Sequence, residues 1–265
     1  MKRLAIILIL TFILIVIFDL YFNISWDFKR EFVYVIPNEL TIEYDSWKEL
    51  KDFFDEIGYN SLEDLSNINI IVKRFPEDFN EAPTNVRKEL FLKILVPIIR
   101  KVNSEIMSER KEILKAIKQK NSKVLMEYMK KYDAQSIDDL LLKVDIIPED
   151  LAIAQAAIES AWGTSRFAQE ANNIFGEWTF SPGTGIVPKN RPLGATYEIE
   201  IFDDLLDSMR SYALNLNKLP FYEDFRLIRA GKKKGHPADG LLRYSELGEE
   251  YVKIVKIVME HLPEL

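Results

Sequence analysis

The stretch that decides the fold is "PEDLAIAQAAIESAWG", residues 148–163. Pro148 followed by two acidic residues is a typical helix start, because proline fits the first turn and acids favour the positive end of the helix dipole. Apolar residues occupy nearly every face of the stretch, which predicts a buried helix that ends at Gly163. One carboxylate, Glu159, lies within this apolar run.

An ionised carboxylate is costly in an apolar helix, so we expect the pKa of Glu159 to be raised. A carboxyl that keeps its proton near neutral pH can act as a general acid. The alternative is a carboxylate satisfied by a cation, and Arg166, about two turns further on, is the candidate partner. Helical spacing also places Glu159 on a strip of small residues that a substrate or another chain segment can approach closely. The strip consists of Ala152, Ala156 and Gly163.

The composition excludes several classes of site. The chain has 265 residues, is 48% hydrophobic and 29% charged, and carries a net charge of -7. These values are typical of a globular protein and do not favour a basic nucleic-acid-binding face. Cysteine is absent, and the two histidines, His236 and His261, are far apart in sequence. We therefore predict no metal, no cofactor and no nucleic-acid partner.

The first residues, "MKRLAIILILTFILIVIFDLYF" (1–22), place two cations before a long apolar run. Because no small-residue cleavage site follows, the pattern favours an uncleaved signal anchor over a cleaved signal peptide. The expected location is the cell envelope, anchored in the inner membrane and facing the periplasm or exterior, or secreted if the signal is cleaved. Residues 23–84 form an N-terminal extension with short helices, and residues 85–265 form the main domain.

The body of the chain is predicted to be mainly helical. Ser46 is the expected N-cap of a first helix, and residues 86–120 form a long periodic segment in which Pro97 kinks the helix or starts a new one. A small β element is expected between residues 176 and 202, and helices resume at Asp203.

Amide and aromatic side chains follow the Glu159 helix. Amides can bond sugar hydroxyls or acetamido groups, or simply hold a turn, and flat rings suit the C–H faces of sugars. The candidate substrate-binding residues are Gln155, Asn172, Asn173, Phe175, Trp178 and Phe180.

At this point the sequence shows a family resemblance. "AIAQAAIESAWGTSRFA" and "NNIFGEWTF" resemble the signature of glycoside hydrolase family 73, the bacterial glucosaminidases, and in particular its Bax-like branch. "FDDLLDSMRSYALNLN" resembles the helix that follows in that branch, and the likeness covers about residues 85–265. It implies a lysozyme-like α+β fold with a small β-hairpin lobe and a cleft, in which Glu159 protonates the leaving glycosidic oxygen.

The second catalytic group is left open. Many family members carry an important tyrosine where this chain has Phe202. Either Tyr197, five residues earlier, takes that role here, or the tyrosine is dispensable in this branch. Glycoside hydrolysis commonly uses a second carboxylate, and the acids of the β segment are Glu177, Glu198 and Glu200. We take Glu198 and Glu200 as the catalytic candidates, while the acetamido group of the substrate is the alternative nucleophile.

The sequence thus predicts a peptidoglycan hydrolase that cleaves a β-1,4 bond after N-acetylglucosamine, with wall glycan strands and the inner membrane as its partners. Two alternatives remain: a lytic transglycosylase or muramidase on the same fold, and a non-catalytic module that binds wall glycan.

Overall fold

The computed structural model describes residues 40–62, 64, 70–189, 191–192 and 194–265. The predicted signal anchor, residues 1–22, lies outside them. Within the described ranges, no helix has the length and apolar character needed to cross a membrane. The segment Thr41–Leu265 forms one compact unit.

Helices dominate this unit. In chain order they are α1 (Trp47–Glu56), α2 (Thr84–Gln119), α3 (Ser122–Tyr132), α4 (Ile137–Lys143), α5 (Glu149–Glu159), α6 (Arg166–Ala171), α7 (Leu205–Lys218), α8 (Glu223–Arg229) and α9 (Glu249–Glu260). Short 3₁₀ turns occupy Phe79–Glu81, Pro220–Tyr222 and Pro237–Leu241. The predicted N-cap of α1 is confirmed, because the Ser46 hydroxyl accepts a hydrogen bond from the backbone N–H of Lys48.

Two small sheets complete the described fold. The first pairs β1 (Leu40–Ile42) with β2 (Ile70–Val72). The second contains β3 (Trp178–Thr179), β4 (Gly185–Ile186) and β5 (Glu198–Glu200), with β5 in the middle and both pairings antiparallel. A mainly helical fold with a small β segment between residues 176 and 202 is therefore confirmed.

The long helix α2 runs through Pro97 without interruption, so of the two predicted alternatives the start of a new helix there is wrong. Proline lacks an N–H, which leaves the carbonyl four residues earlier without its helical donor. That carbonyl belongs to Lys93, and the hydroxyl of Tyr59 donates to it at 3.2 Å. A tertiary hydrogen bond thus replaces the missing helical one.

Helix α5 lies at the centre of the core and packs against α2 and α9. Its start after Pro148 is as predicted, and Ala152 and Ala156 are fully buried. A Cβ atom on Gly163 would lie 2.9 Å from the ring of Phe75 and 3.0 Å from that of Phe79. The strip of small residues is therefore filled by the chain itself rather than open to a substrate.

The end of α5 differs from the prediction: the helix stops at Glu159, four residues before Gly163. The Ser160 hydroxyl donates to the carbonyl of Ala156 at 2.6 Å and accepts from the N–H of Gly163 at 2.9 Å. Ala161, Trp162 and Gly163 all have left-handed φ values, of 50°, 57° and 81°. The chain therefore turns sharply immediately after Glu159, which leaves this carboxyl at the helix end.

Candidate active site

Glu159 is partly buried at the C-terminal end of α5. Burial raises the pKa of its carboxyl, while a hydrogen bond from Tyr251 partly offsets the effect. The Tyr251 hydroxyl donates to Oε1 of Glu159 at 2.7 Å. Burial and the charge of Glu159 both raise the pKa of Tyr251, so this hydroxyl keeps its proton and acts as a donor.

A continuous chain of hydrogen bonds leads to this carboxyl from inside the protein. The Tyr212 hydroxyl donates to Oε1 of Gln155 at 2.7 Å, and Nε2 of Gln155 donates to the Tyr251 hydroxyl at 2.9 Å. Gln155 is fully buried, so its amide orients Tyr251 and has no surface to offer a substrate in this structure. The side chain predicted to bind substrate therefore supports the Glu159 hydrogen bond.

Four tyrosines lie together beside Glu159, and we call them the tyrosine cluster: Tyr212, Tyr222, Tyr244 and Tyr251. Tyr244 stacks on Tyr251 with ring centroids 5.4 Å apart and contacts Tyr212 and Tyr222 edge-on or tilted. Tyr212 is buried, whereas Tyr222 and Tyr244 are partly exposed. The cluster therefore offers aromatic faces and hydroxyl groups next to the carboxyl.

Arg166 is engaged elsewhere. Its Nε donates to Glu170 at 2.9 Å, a pair formed within α6 at i,i+4 spacing. The hydrogen-bond partner of Glu159 is the neutral hydroxyl of Tyr251. A neutral donor stabilises a carboxylate less than a cation does, in keeping with the raised pKa of Glu159.

Asn172 and Asn173 hold the chain around the β segment. Asn172 ends α6 in the left-handed conformation and donates to the carbonyls of Phe202 and Asp203. Asn173 is buried; its Nδ2 donates to the carbonyls of Glu177 and Glu200, and its Oδ1 accepts from the N–H of Glu177. Of the two roles considered for these amides, the structure displays the turn-holding one.

Among the acids of the β segment, Glu177 has the most strongly shifted pKa. Its Oε2 accepts from Ser211 at 2.7 Å and from Asn215 at 2.5 Å, while its Oε1 is buried without a hydrogen-bond partner among the described residues. Burial raises the pKa of Glu177 to about 7, the negative charge of Glu200 adds to this, and the two hydrogen bonds oppose it. A group with such a pKa exchanges protons near neutral pH.

The two acids chosen from the sequence have different surroundings. The carboxylate of Glu198 accepts from the N–H groups of Gly183 and Gly185, and these bonds lower its pKa. It therefore stays ionised and organises the turn between β3 and β4. Glu200 is partly exposed, its backbone N–H donates to the carbonyl of Glu177, and its charge acts on that side chain.

The aromatic residues of the β segment separate into two groups. Trp178 is 53% exposed and Phe180 is 71% exposed. Tyr197 stacks on Trp178, with centroids 4.4 Å apart and ring planes 12° from parallel, rather than in the tyrosine cluster. Phe175 is buried and stacks on Tyr212 at 3.8 Å. Trp178 and Phe180 therefore present ring faces to solvent, whereas Phe175 does not.

Comparison with known proteins identifies the region that contains this site. The family model of glucosaminidase, described as mannosyl-glycoprotein endo-beta-N-acetylglucosaminidase, matches residues 134–260. Residues 134–260 therefore match a glucosaminidase domain. The chain is also similar to Protein bax of Escherichia coli (strain K12), with 29% identity over 171 residues, 59% of this chain and 61% of that protein. The chain thus spans about three fifths of the length of this relative.

One solved structure matches part of the chain: a C-terminally truncated glycoside hydrolase domain from Salmonella typhimurium FlgJ. The match covers 51% of this chain and 95% of the other, with 18% identity and a TM-score of 0.34.

The glucosaminidase domain confirms the predicted family and the general class of glycosidase. The matched region contains Glu159, the whole β segment and the tyrosine cluster. Among the described residues, no group of three or more acidic or histidine side chains could hold a metal ion.

Sequence reasoning missed the residues that set the environments of Glu159 and Glu177. Tyr251 is 92 positions further on, in an amphipathic helix where an aromatic residue resembles any other core residue. Ser211 and Asn215 did carry a signal: with Ser208 they form a polar stripe on α7 at i, i+3 and i+7. Ser208 accepts from the N–H of Ile174, so the stripe binds the segment that leads into β3.

Proposed function

We propose that this protein is a peptidoglycan hydrolase, an endo-β-N-acetylglucosaminidase in which Glu159 is the general acid. The observation that carries the proposal is the environment of this carboxyl: it is partly buried, has a raised pKa and is bound by a neutral hydroxyl. A general acid must hold a proton at working pH and deliver it to the leaving oxygen as the glycosidic bond breaks. The match to the glucosaminidase family model supports a bond next to N-acetylglucosamine.

The proposed architecture is lysozyme-like, with the β segment as the small lobe. Trp178 and Phe180 present exposed rings on that segment, and we assign them to the sugar faces of the glycan strand. We place the domain boundary near residue 85 rather than at the start of the family match, because α2 packs against α5 and α7. The location follows from the first 22 residues: the domain acts in the cell envelope, tethered by its N-terminal segment.

The second catalytic group is proposed from the same geometry. Glu198 is occupied by backbone N–H groups, which makes it an anchor of the turn rather than a mobile nucleophile. An acetamido group on the substrate can attack the sugar carbon itself, and such a route requires no protein nucleophile. We therefore favour substrate assistance, with Glu200 as the protein carboxylate to be tested against it.

The product of digestion tests the proposal. Purified sacculi are incubated with the protein, the fragments are reduced, and their ends are identified by mass spectrometry. We expect reducing N-acetylglucosamine ends. A 1,6-anhydro muramic product or a reducing muramic acid end would reject the proposed bond in favour of a transglycosylase or a muramidase.

Substitution of Glu159 tests the residue. We expect Glu159→Gln to lose at least about 100-fold in rate, the usual scale of general-acid catalysis. Glu170→Gln is the matched control, because it changes an exposed glutamate on the neighbouring helix that pairs with Arg166. An inactive wild-type protein, or a Glu159→Gln variant as active as the control, contradicts the proposal.

A further inference from the structure

Glu177 is a partly buried acid for which the proposed reaction has no use. Asn173 bonds its backbone N–H at 2.9 Å and its carbonyl at 2.9 Å, and Glu200 donates its own N–H to that carbonyl at 3.0 Å. These bonds fix the main chain on both sides of the residue. The Glu177 side chain therefore projects from a rigid support.

The carboxyl of Glu177 binds α7 at two points on one helical face. Ser211 and Asn215, at i,i+4 spacing, both donate to its Oε2. Tyr212 is the residue directly after Ser211, so the position of this turn of α7 also sets the position of the Tyr212 ring. Phe175, two residues before Glu177, stacks on that same ring at 3.8 Å.

Tyr212 is also the first member of the hydrogen-bond chain that reaches Glu159 through Gln155 and Tyr251. The charges of both Glu159 and Glu177 add to the effect of burial in raising the pKa of Tyr212 and of Tyr244. Glu177 also acts on Tyr222, where burial and its charge raise the pKa to about 12. Both carboxyls therefore interact with the same tyrosine cluster.

We propose that Glu177 is a positioning residue of the glycosidase site: it ties the start of β3 to α7 and so fixes the tyrosine cluster that holds Glu159. The inference rests on the proposed function of Glu159 as the general acid. Glu177 acts through Ser211, Asn215 and Tyr212, and it makes no contact with the reacting atoms. Its role is to keep the Tyr251 hydroxyl at bonding distance from the acid.

The unpaired Oε1 atom of Glu177 indicates the protonation state in which this carboxyl holds β3 and α7 together. A buried carboxylate oxygen without a donor is costly when the group is ionised, and a proton removes the charge. Burial and the charge of Glu200 raise the pKa of Glu177 to about 7, so the carboxyl is neutral in mildly acidic solution. The other titratable groups that act on this region are Tyr212, Tyr222 and Tyr244, which stay protonated because burial raises each pKa.

The experiment compares Glu177→Ala, which removes the tie, with Glu177→Gln, which keeps an acceptor for Ser211 and Asn215 without the charge. On peptidoglycan we expect the alanine variant to lose about 10-fold to 100-fold in kcat with little change in KM, as for a misplaced catalytic group. The glutamine variant should retain most of the wild-type kcat. Ser211→Ala removes only one of the two bonds, so it should shift kcat in the same direction by less, and it serves if Glu177→Ala does not fold.

A second measurement requires no substrate. Carboxyl ¹³C NMR of glutamate-labelled protein follows the titration of Glu159, assigned by its absence in Glu159→Gln. Because the Tyr251 hydrogen bond lowers the pKa of Glu159, a loosened bond should raise the titration midpoint in Glu177→Ala and leave it unchanged in Glu177→Gln. A wild-type resonance near pH 7, absent in Glu177→Gln, should report Glu177 itself.

The outcomes separate the two proposals. Absence of glycan cleavage by the wild-type protein rejects the proposed function. The titration of Glu159 still tests the positioning role of Glu177 in that case. A Glu159 midpoint that is the same in wild type, Glu177→Ala and Ser211→Ala rejects the positioning role. A kcat that is unchanged in folded Glu177→Ala rejects it as well. Glu246→Gln, a change at an exposed glutamate, is the control for loss of a negative charge.

Discussion

The hydroxyl of Tyr251 donates a 2.7 Å hydrogen bond to Oε1 of Glu159. This bond joins the C-terminal end of α5 to α9, which packs against it. It provides the partly buried carboxyl with a neutral partner, so the carboxylate is stabilised less than it would be by a cation. Two opposing effects therefore set the pKa of Glu159: burial raises it, and the hydrogen bond from Tyr251 lowers it.

Removal of this hydroxyl should shift the pH dependence of the reaction. In Tyr251→Phe the pKa of Glu159 should rise further, because the bond that lowers it is lost. A general acid is active while it is protonated, so the alkaline limb of the kcat profile should move to higher pH, by about one unit for a hydrogen bond worth about 1.4 kcal/mol. Rate measurements from pH 4 to pH 9, on the order of ten points, would resolve this movement.

The control for this variant is Tyr128→Phe, which removes a tyrosine–glutamate hydrogen bond of 2.6 Å between Tyr128 and Glu112, outside the site. Its profile should match that of the wild type. An alkaline limb that stays in place in Tyr251→Phe, or moves to lower pH, contradicts the assignment of Glu159 as the acid.

The ionisation of Glu159 should lower the free energy of unfolding, whereas the ionisation of an ion-paired acid raises it. Because the folded-state pKa is raised, the folded protein binds this proton more tightly than the unfolded chain does. The free energy of unfolding therefore falls as pH rises from the unfolded pKa through the folded one. Glu159→Gln lacks this loss, so it should be at least as stable as wild type at pH 8, with the difference shrinking toward pH 4.

Denaturant unfolding at the two pH values measures this difference. Glu170→Gln, which breaks the exposed pair with Arg166, should change the free energy of unfolding by less than about 1 kcal/mol at either pH. A Glu159→Gln variant that is clearly less stable than wild type at pH 8 would show that the Glu159 charge is paired.

The sequence indicated the part of the site that depends on local order. Periodicity predicted a buried helix after Pro148, and the isolated acid within it is partly buried as expected. The position of Arg166 suggested an ion pair with Glu159, but Glu170 lies one turn away on the same short helix and takes that cation. A partner one helical turn away can be recognised from sequence spacing. The distance between residues brought together by the tertiary fold cannot.

Local pattern could reveal the polar stripe on α7, but not that this stripe binds Glu177 or that Tyr251 binds Glu159. Glu177 occupies a segment that alternates like a solvated strand, and its side-chain hydrogen-bond donors, Ser211 and Asn215, are 34 and 38 positions away. The helix end was missed for a similar reason. Gly163 was expected to end α5, yet the Ser160 hydroxyl binds both the last turn and the N–H of Gly163, and so ends the helix earlier.

The exposed rings of the β segment should contribute to binding rather than to chemistry. A sugar that covers roughly 50 Å² of a ring gains about 1.3 kcal/mol, close to tenfold in affinity. We expect Trp178→Ala and Phe180→Ala each to raise KM for glycan strands by about this factor, with kcat little changed. Met126→Ala, on α3, is the control, because Met126 is a similarly exposed apolar residue at 63%. A fall in kcat at constant KM would instead place these rings in the chemical step.

The turn after Glu159 should tolerate no side chain at Gly163. Its φ of +81° is left-handed, and a Cβ atom would lie 2.9 Å from Phe75 and 3.0 Å from Phe79, both buried. Left-handed strain of about 1–2 kcal/mol and overpacking of about 1–3 kcal/mol should add in Gly163→Ala. Gly58→Ala isolates the first contribution, because Gly58 has a φ of +76° and nothing within 4 Å of its Cβ position. Chemical denaturation should therefore show a loss for Gly163→Ala about twice that for Gly58→Ala, and equal losses would mean that the two phenylalanines move aside without cost.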